Sequence, residues 1–245
     1  MNLRILYQDE NLIAVDKPAG FHVHSPEDLS QRIPRSQNCV FILRKQTGSY
    51  VYPVHRLDRA TSGLVLFALK QESASLLNQA FREGHIGKTY FAVVRGYTPA
   101  SGTIDHPLRA EDPKLPSKNS VTRYETLARV ELPVAIGKHS TTRYSLVQVQ
   151  PLTGRMHQIR RHFAHISHPL IGDTVYGDGK HNRFFRERFA VTPLLLKAYA
   201  LDFTHPTSGI KLHLQSKWTS PWHSVFDLFG ICPLIRPLTG SSSFA

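Results

Sequence analysis

Cysteine is scarce in this sequence, which contains only Cys39 and Cys232. Two cysteines so far apart form neither a disulfide framework nor a zinc-ligand pattern, and their scarcity is typical of a reducing compartment. Long apolar runs are lacking too, since none approaches the roughly 18 residues that a membrane span needs. The N-terminus shows no signal-peptide pattern. We therefore expect a cytoplasmic protein that is not associated with a membrane.

Acidic residues are also few, with 18 Asp and Glu against 30 Lys and Arg, so the net charge is +12. This excess, with an isoelectric point near 9.9, favours a polyanionic partner, and we expect a nucleic acid rather than an ordinary basic surface. Hydrophobic residues make up 41% of the chain, which indicates a globular protein rather than a disordered one. Its 245 residues suffice for one large domain or two small ones.

Five segments have the composition and patterning of β-strands. They are Leu3–Tyr7, Asn11–Val15, Leu64–Leu69, Thr89–Val94 and Arg143–Gln150. Leu64–Leu69 is continuously apolar, which predicts a strand buried on both faces. Strand patterns outnumber helical ones and show no regular βαβ alternation. The sequence therefore favours an α+β fold with a mixed, mostly antiparallel central sheet and flanking helices.

Two segments have the apolar spacing of helices, Ser73–Glu83 and Arg155–His165. Gly84 follows the first of these and predicts its C-terminal stop. The polar stretch of residues 25–50 is interpreted as a loop with a weak helix. Arg109–Asn119 is polar and contains two prolines, which predicts an exposed loop.

Asp58 is the first residue that could carry chemistry. It stands between Arg56 and Arg59, just before a predicted buried strand. An aspartate beside arginines is most often part of a structural ion pair, and a catalytic carboxylate is the alternative. The local pattern leaves both interpretations open.

Four blocks of the sequence resemble, in the same order, those of a known family. The blocks are Leu6–Gly20, His55-Arg56-Leu57-Asp58-Arg59-Ala60-Thr61-Ser62-Gly63, Lys88–Gly96 and Thr153–Asp173. Together they resemble the pseudouridine synthases of the RluA type over roughly residues 3–215. The resemblance implies the catalytic fold of that family, with an active-site cleft, and an enzyme that isomerises uridine in RNA. We expect one catalytic domain over residues 1–236, no separate N-terminal RNA-binding module, and a disordered tail at 237–245.

The resemblance implies a role for each matched residue. Asp58 would be the nucleophile, Arg160 would pair with it, Tyr90 would lie against the target base, and Arg56 would help to fill the gap left by a flipped nucleotide. The reaction breaks the bond from C1′ to N1 and rejoins the uracil through C5. A carboxylate could hold the sugar by attacking C1′ or the base by attacking C6, and the sequence leaves both routes open. Arg160 would keep the Asp58 carboxylate ionised and oriented.

Tyr90 and Arg56 also have ordinary interpretations. Strands favour aromatic residues, so Tyr90 taken alone is a core tyrosine. Within the family, Tyr90 would stack on the base, and its hydroxyl could also accept the C5 proton. Arg56 taken alone is a surface or ion-paired arginine.

Several basic residues are candidate phosphate contacts, although each one singly is more often a solvated charge. With the net charge of +12 they indicate an RNA footprint. The RNA-binding candidates are Arg56, Arg59, Lys88, Arg155 and Arg161, with Arg183, Arg186 and Arg188 as further phosphate contacts.

No cofactor is expected, because the isomerisation has no net redox change and the chain shows no phosphate-binding glycine loop. Four histidines in one stretch nevertheless raise the question of a metal: His157, His162, His165 and His168. Their spacing differs from a zinc box, and the neighbouring arginines would oppose a cation. We therefore predict no metal site. His55 is interpreted as a structural or capping residue rather than a base.

The substrate is inferred from finer likenesses within the family. The doubled Arg160-Arg161 and the stretch Gly137–Tyr144 most resemble members that modify tRNA, and they imply uridine 65 as the target. A ribosomal-RNA enzyme of the same family is the alternative. Two rivals lie outside it: a glycosidase-like hydrolase, which would need paired carboxylates, and an RNA-binding module without chemistry, which would tolerate the loss of Asp58. No obligatory protein partner is implied.

Overall fold

The structure is a computed structural model that describes residues 1–25, 33–109 and 114–232. Over these residues a single ten-stranded sheet is flanked by five α-helices. The strands are β1 (Arg4–Gln8), β2 (Leu12–Lys17), β3 (Tyr52–Pro53), β4 (Ser62–Ala68), β5 (Gly87–Arg95), β6 (Ser101–Asp105), β7 (Val121–Leu132), β8 (Thr142–Pro151), β9 (Leu196–Thr204) and β10 (Lys211–Gln215). The helices are α1 (Cys39–Thr47), α2 (Gln71–Glu83), α3 (Gln158–His165), α4 (Gly179–Phe189) and α5 (Ser220–Phe229). None of these helices is long and apolar enough to cross a membrane.

The sheet is mixed and mostly antiparallel, as the sequence predicts. Its strands follow the order β1-β2-β4-β9-β5-β8-β7-β6, with β3 added to β4 and β10 added to β9. Among the described strands, β4 and β9 form the one parallel pair, and they meet only at Ser62–Lys197 and Gly63–Ala198. Beyond that point β4 pairs with β3 and β9 pairs with β10. The two halves of the sheet therefore separate on one side of this short junction.

Gly63 permits the junction between the two halves. Its φ is +116°, a conformation that favours glycine, and a Cβ placed there would lie 2.0 Å from the carbonyl oxygen of Ala198. A side chain would thus collide with the backbone of β9. Because Gly63 follows the Asp58 loop by only a few residues, this close contact also fixes where that loop enters the sheet.

The predicted elements that rest on local patterns are confirmed. β4 is buried on both faces, since every residue from Gly63 to Ala68 is inaccessible. α2 ends at Gly84, which adopts the left-handed conformation and donates its amide to the carbonyl of Ala80. The weak helix of residues 25–50 is α1, capped by the side chain of Asn38, which accepts from the amide of Phe41.

Other elements differ from the prediction in their extent. α3 begins at Gln158 rather than Arg155, because His157 before it is in the left-handed region with φ 53° and cannot continue a helix. β8 is covered on both sides, by α3 on one face and by α4 and α5 on the other.

The described part of the predicted loop, Arg109 and residues 114–119, is exposed and contains no helix or strand. Residues 110–113 and the predicted tail 237–245 lie outside the described residues. The single domain over residues 1–236 stays a prediction.

Gly63→Ala tests the junction. We expect a loss in the free energy of unfolding of about 4 kcal/mol or more, because the backbone of β9 must shift in a packed interior. Gly48→Ala is the matched control, since Gly48 also has positive φ, at +69°, but has open space around it. That substitution should cost only about 1–2 kcal/mol. Urea unfolding measures both, and equal losses in the two variants would contradict the close-contact explanation.

Candidate active site

A cleft of about 690 Å³ opens beside the point where the two halves of the sheet separate. Four segments form most of its walls: the loop before β4, the end of α2, the start of β5, and the segment from Pro151 to the first turn of α3. The three predicted catalytic residues, Asp58, Tyr90 and Arg160, all line this cleft. Residues from distant parts of the chain are thereby brought together as the sequence implies.

The Asp58 carboxylate faces the guanidinium of Arg160. Nη1 of Arg160 lies 3.4 Å from Oδ2 of Asp58. The rest of the guanidinium is held from behind by Asp173, because Nε donates to Oδ2 at 2.8 Å and Nη2 donates to Oδ1 at 2.9 Å. This bidentate pairing fixes the plane of the guanidinium, so that one N–H edge remains for Asp58.

Burial sets the electrostatics of this chain of charges. The Asp173 side chain is inaccessible and that of Arg160 is 5% exposed, whereas Asp58 keeps 23% exposure to the cleft. Burial alone would raise the pKa of Asp173, but hydrogen bonds from Arg160 and from the amides of Tyr176 and Val175 outweigh it and leave that pKa lowered. Burial also opposes the charge of Arg160, and pairing with Asp173 and Asp58 raises its pKa overall. Both groups therefore remain charged, and the accessible end of the network is the Asp58 carboxylate.

His157 is a second contact of Asp58, and the sequence assigned it no role. Its Nε2 lies 3.9 Å from Oδ2 of Asp58, and its Nδ1 lies 3.1 Å from the hydroxyl of Tyr176. The positive φ of this residue turns the ring toward the cleft at the entrance to α3. Tyr176 also packs against the guanidinium of Arg160, at 5.2 Å from the ring centroid.

Gln158 holds the segment that carries His157. Its side-chain oxygen accepts from the Thr153 hydroxyl at 2.7 Å and from the Arg155 amide at 3.0 Å. Its amide nitrogen donates to the carbonyl of Val121 and the hydroxyl of Thr122, both at 3.0 Å. A buried amide with all these partners ties the wall of the cleft to β7.

Lys17 anchors the Asp58 loop from the other side. This lysine is fully buried, and its Nζ donates to the carbonyl oxygens of Pro18, Phe21 and Arg59 at 3.0, 2.8 and 3.2 Å. Burial lowers its pKa to about 8, against attraction from Cys39 and Asp58. The amide of Gly20 and the side chain of Arg59 complete the tie, since Gly20 N donates to Arg59 O and Arg59 Nε donates to Gly20 O. The turn after β2 and the Asp58 loop are thus one hydrogen-bonded unit.

Tyr90 lies on β5 where the pairing with β9 shifts register. It is half-buried and packs against two of the core clusters, so the ordinary interpretation as a core tyrosine is partly correct. One part of the ring nevertheless lines the cleft. Burial, with a smaller contribution from Asp58, raises the pKa of its hydroxyl well above the usual value. The group is therefore a neutral phenol at physiological pH.

His55 has a structural place, as the sequence suggests. Its Nε2 accepts from the amide of Leu66 at 2.9 Å, and its ring stacks on Phe81 with 4.6 Å between centroids. Burial lowers its pKa to about 3, which keeps the ring neutral. The stacked ring and the accepted amide proton attach the start of the loop to β4 and α2.

The four histidines considered as metal ligands have separate partners. His157 faces Asp58, His162 bonds to Thr122 and His106, His165 stacks on His106, and His168 bonds to the carbonyl of Arg95. Within residues 1–25, 33–109 and 114–232 there is no group of three or more His, Cys, Asp or Glu side chains that could hold a metal ion.

The predicted RNA-binding residues divide into two groups. Arg56, Lys88 and Arg155 line the cleft, whereas Arg59 and Arg161 do not. Lys88 is largely enclosed, which lowers its pKa, and its Nζ lies 3.5 Å from the carbonyl of Thr153. Arg56 is exposed at the rim.

Two residues that complete the site, Asp173 and Lys17, were missed in the sequence, although both lie in the matched blocks. A general signal existed for Asp173, because an arginine on the buried face of a helix requires a carboxylate partner. Lys17 carried no comparable signal, since its partners are backbone carbonyls.

Known proteins resemble the chain over nearly its whole length. A family model described as RNA pseudouridylate synthase matches residues 11–165. The chain is 47% identical over 238 residues to tRNA pseudouridine synthase C of Pectobacterium carotovorum subsp. carotovorum, which covers 93% of this chain and 62% of that protein. It is 44% identical over 258 residues to tRNA pseudouridine synthase C of Yersinia pestis, with 98% of each chain covered. The fold is similar to that of Human RNA Pseudouridylate Synthase Domain Containing 4, with a TM-score of 0.70, 23% identity and 93% of both chains covered.

Arg160→Lys tests the guanidinium as a fork. Lysine keeps the charge, but its single ammonium group cannot reproduce the hydrogen bonds of the guanidinium to both Asp173 and Asp58. We therefore expect turnover to fall by about 10- to 100-fold. The melting temperature should also fall, because disrupting a buried ion pair costs up to about 3–5 kcal/mol.

Arg123→Lys is the control for this change. Arg123 is an exposed arginine of β7 that does not line the cleft. Steady-state kinetics and thermal denaturation should give values near wild type for this variant. Full turnover by Arg160→Lys would contradict the role of the fork.

Proposed function

The chain belongs to the RNA pseudouridylate synthase family, and we propose that it converts uridine 65 of tRNA to pseudouridine in the cytoplasm. The observation that carries the proposal is the Asp58 carboxylate, accessible in the cleft and held by Arg160 at 3.4 Å. The choice of tRNA is supported by the names of relatives that are 44% and 47% identical over most of this chain.

Asp58 is the nucleophile of the proposed reaction. The bond from C1′ to N1 of the uridine breaks, the uracil turns, a bond from C1′ to C5 forms, and the C5 proton leaves as N1 regains one. Atoms and electrons balance without an oxidant or a cofactor. The carboxylate forms a covalent bond to the sugar or to the base while the uracil turns, and this bond breaks again before the product leaves, which restores the free carboxylate. Arg160 pairs with this carboxylate at 3.4 Å and orients it toward the cleft, where a nucleophile is needed.

Tyr90 is the surface on which the uracil stacks. Its ring lines the cleft beside Asp58, and base–aromatic stacking contributes about 1–3 kcal/mol in proteins that bind single strands. Because burial raises the pKa of its hydroxyl, a phenolate that could accept the C5 proton is rare at neutral pH. We therefore favour stacking over the alternative role as a base.

The target uridine must leave its helix to reach Asp58, since the carboxylate lies inside a cleft. Flipping a nucleotide costs a few kcal/mol. Arg56 is exposed at the rim, two residues before Asp58, and its guanidinium is placed to enter the gap that the nucleotide leaves. For a target in an A-form stem, recognition rests on backbone shape and 2′-hydroxyls more than on base edges.

Asp58→Asn tests the nucleophile. The amide keeps the shape of the side chain and removes its charge, so we expect turnover to fall by roughly 10⁴-fold or more, while the Kd for tRNA changes only a few-fold. Asp105→Asn, at an exposed position on β6, is the control and should leave both values unchanged. Turnover by a purified Asp58→Asn enzyme near the wild-type rate would refute the proposal.

The substrate is tested by mapping pseudouridine in total RNA with and without the gene, using carbodiimide labelling and primer extension. We expect the loss of one pseudouridine, at uridine 65 of a subset of tRNAs. Loss of a pseudouridine from ribosomal RNA, with every tRNA unchanged, would show that the assignment to tRNA is wrong. The enzyme would still be a pseudouridine synthase. Release of free uracil would instead indicate a hydrolase.

Two substitutions separate the roles of Tyr90. Tyr90→Phe keeps the ring face and should retain turnover within about ten-fold of wild type, whereas Tyr90→Leu removes the face and should lose far more. If turnover by Tyr90→Phe falls by about 10²–10⁴-fold, the range expected for general-base catalysis, the hydroxyl acts as the base and stacking alone is wrong.

A further inference from the structure

A second and larger cavity, of about 1360 Å³, lies at the other end of the central strands. The end of β5, the start of β8 with the loop before it, and the first turns of α4 form its walls. Tyr90 in the catalytic cleft and Arg95 in this cavity stand five residues apart on β5. At ~3.3 Å per residue of strand, the backbones of these two residues are ~17 Å apart, and their side chains point to opposite faces of the sheet, so that an RNA contacting both places must pass across the end of the sheet. The target nucleotide cannot occupy both.

The cavity is strongly basic. Five cationic side chains line the cavity, whereas Asp178 supplies the one carboxylate among its lining residues. We call this set of cations the basic pocket: Arg95, Lys138, Arg143, Lys180 and Arg183. Two of the cations are already paired with acidic residues. Arg95 forms an ion pair with Asp178, and Arg143 lies 3.2 Å from a carboxylate oxygen of Glu131.

Three cations of the basic pocket remain uncompensated. Lys138, Lys180 and Arg183 are exposed, and within the part of the chain that the structure describes no carboxylate lies in ion-pair distance of any of them. They come from two separate segments, the loop before β8 and helix α4, yet they face one open cavity. Like charges gathered in this way repel one another and favour the binding of an anion.

The dimensions of the cavity favour a polymer over a small anion. The cavity is open and about twice as large as the catalytic cleft, and its uncompensated cations are spread over two segments rather than aimed at one point. Double-stranded DNA carries one phosphate per strand every ~3.4 Å of helix axis, and on this scale ~17 Å corresponds to at least about five base-pair steps of a nucleic-acid duplex. One structured RNA with its target base in the cleft is long enough to reach the basic pocket.

We propose that the basic pocket is a second anion-binding site, which takes backbone phosphates of the substrate RNA several base pairs away from the target uridine. The proposal rests on the proposed function for the identity of the polymer and adds to it a contact outside the cleft. This contact would bind and orient the RNA without touching the reacting atoms, so it contributes to affinity and not to the chemical step.

The test compares two triple variants with the same loss of charge. Lys138→Ala/Lys180→Ala/Arg183→Ala empties the pocket of its uncompensated cations. Lys45→Ala/Lys211→Ala/Lys217→Ala removes three exposed lysines that line neither cavity. Kd and kcat are measured for both with full-length tRNA and with a short hairpin that ends within about three base pairs of the target.

We expect the pocket variant to bind full-length tRNA at least ten-fold more weakly, with kcat at saturation unchanged. Its slope of log Kd against log salt should fall by about two to three, since each lost phosphate contact removes somewhat less than one unit. The hairpin should bind the pocket variant as it binds wild type, because it is too short to reach the pocket. The control variant should behave as wild type with both RNAs.

Three outcomes would overturn the proposal. Equal weakening by the two triple variants would indicate diffuse charge without a site, and equal weakening on the hairpin would place the effect in the cleft. Saturable binding of inorganic phosphate by the pocket, with unchanged affinity for full-length tRNA, would assign it to a free anion. Affinity measures the pocket and turnover measures the proposed function, so the two can fail separately.

Discussion

The pairing of Asp173 with Arg160 sets the geometry of the cleft, because Asp173 fixes the guanidinium of Arg160 and Arg160 in turn faces Asp58. An arginine on a buried helix face is tolerated only with a partner, and Asp173 is only tolerated with several donors. Together with Asp58, the pair joins the loop before β4 to helix α3 and to the turn that precedes α4, although Asp58 and Arg160 are 102 residues apart in sequence. The most accessible carboxylate of this network is that of Asp58, and its place is set through Arg160 by the inaccessible Asp173.

The cleft depends on an interruption of the sheet. β4 and β9 pair over two residues and then separate, and the cleft lies beside that separation. Gly63 allows the close approach at the junction, and the Asp58 loop enters the sheet directly before it. The same short contact thus joins the two halves and positions Asp58 beside the cleft. A sheet with full pairing across β4 and β9 would leave no room for this cleft.

Elements with strong local signals were predictable from the sequence. β4 is a short apolar run, and α2 ends at a glycine, so both were predicted near their observed bounds. Helix α4 was not predicted, because it is rich in arginine and buries only His181 and Phe185. The meeting of Asp58, Tyr90 and Arg160 followed from the family resemblance and not from spacing. The need of Arg160 for a buried carboxylate could be inferred from the sequence, but the choice of Asp173 and the contacts of Lys17 could not, since they depend on which buried groups the fold leaves opposite one another.

The ammonium group of Lys17 occupies a position that resembles a binding site for a monovalent cation. Three carbonyl oxygens surround its ammonium group as they would surround a bound monovalent cation. A bound cation can be exchanged, diluted or removed by a chelator, whereas this one is attached by a covalent stem. These three hydrogen bonds, one of them to Arg59 beside Asp58, therefore need no exchangeable ion. Because burial lowers the pKa of this lysine to about 8, its charge depends on pH and not on the concentration of a bound ion.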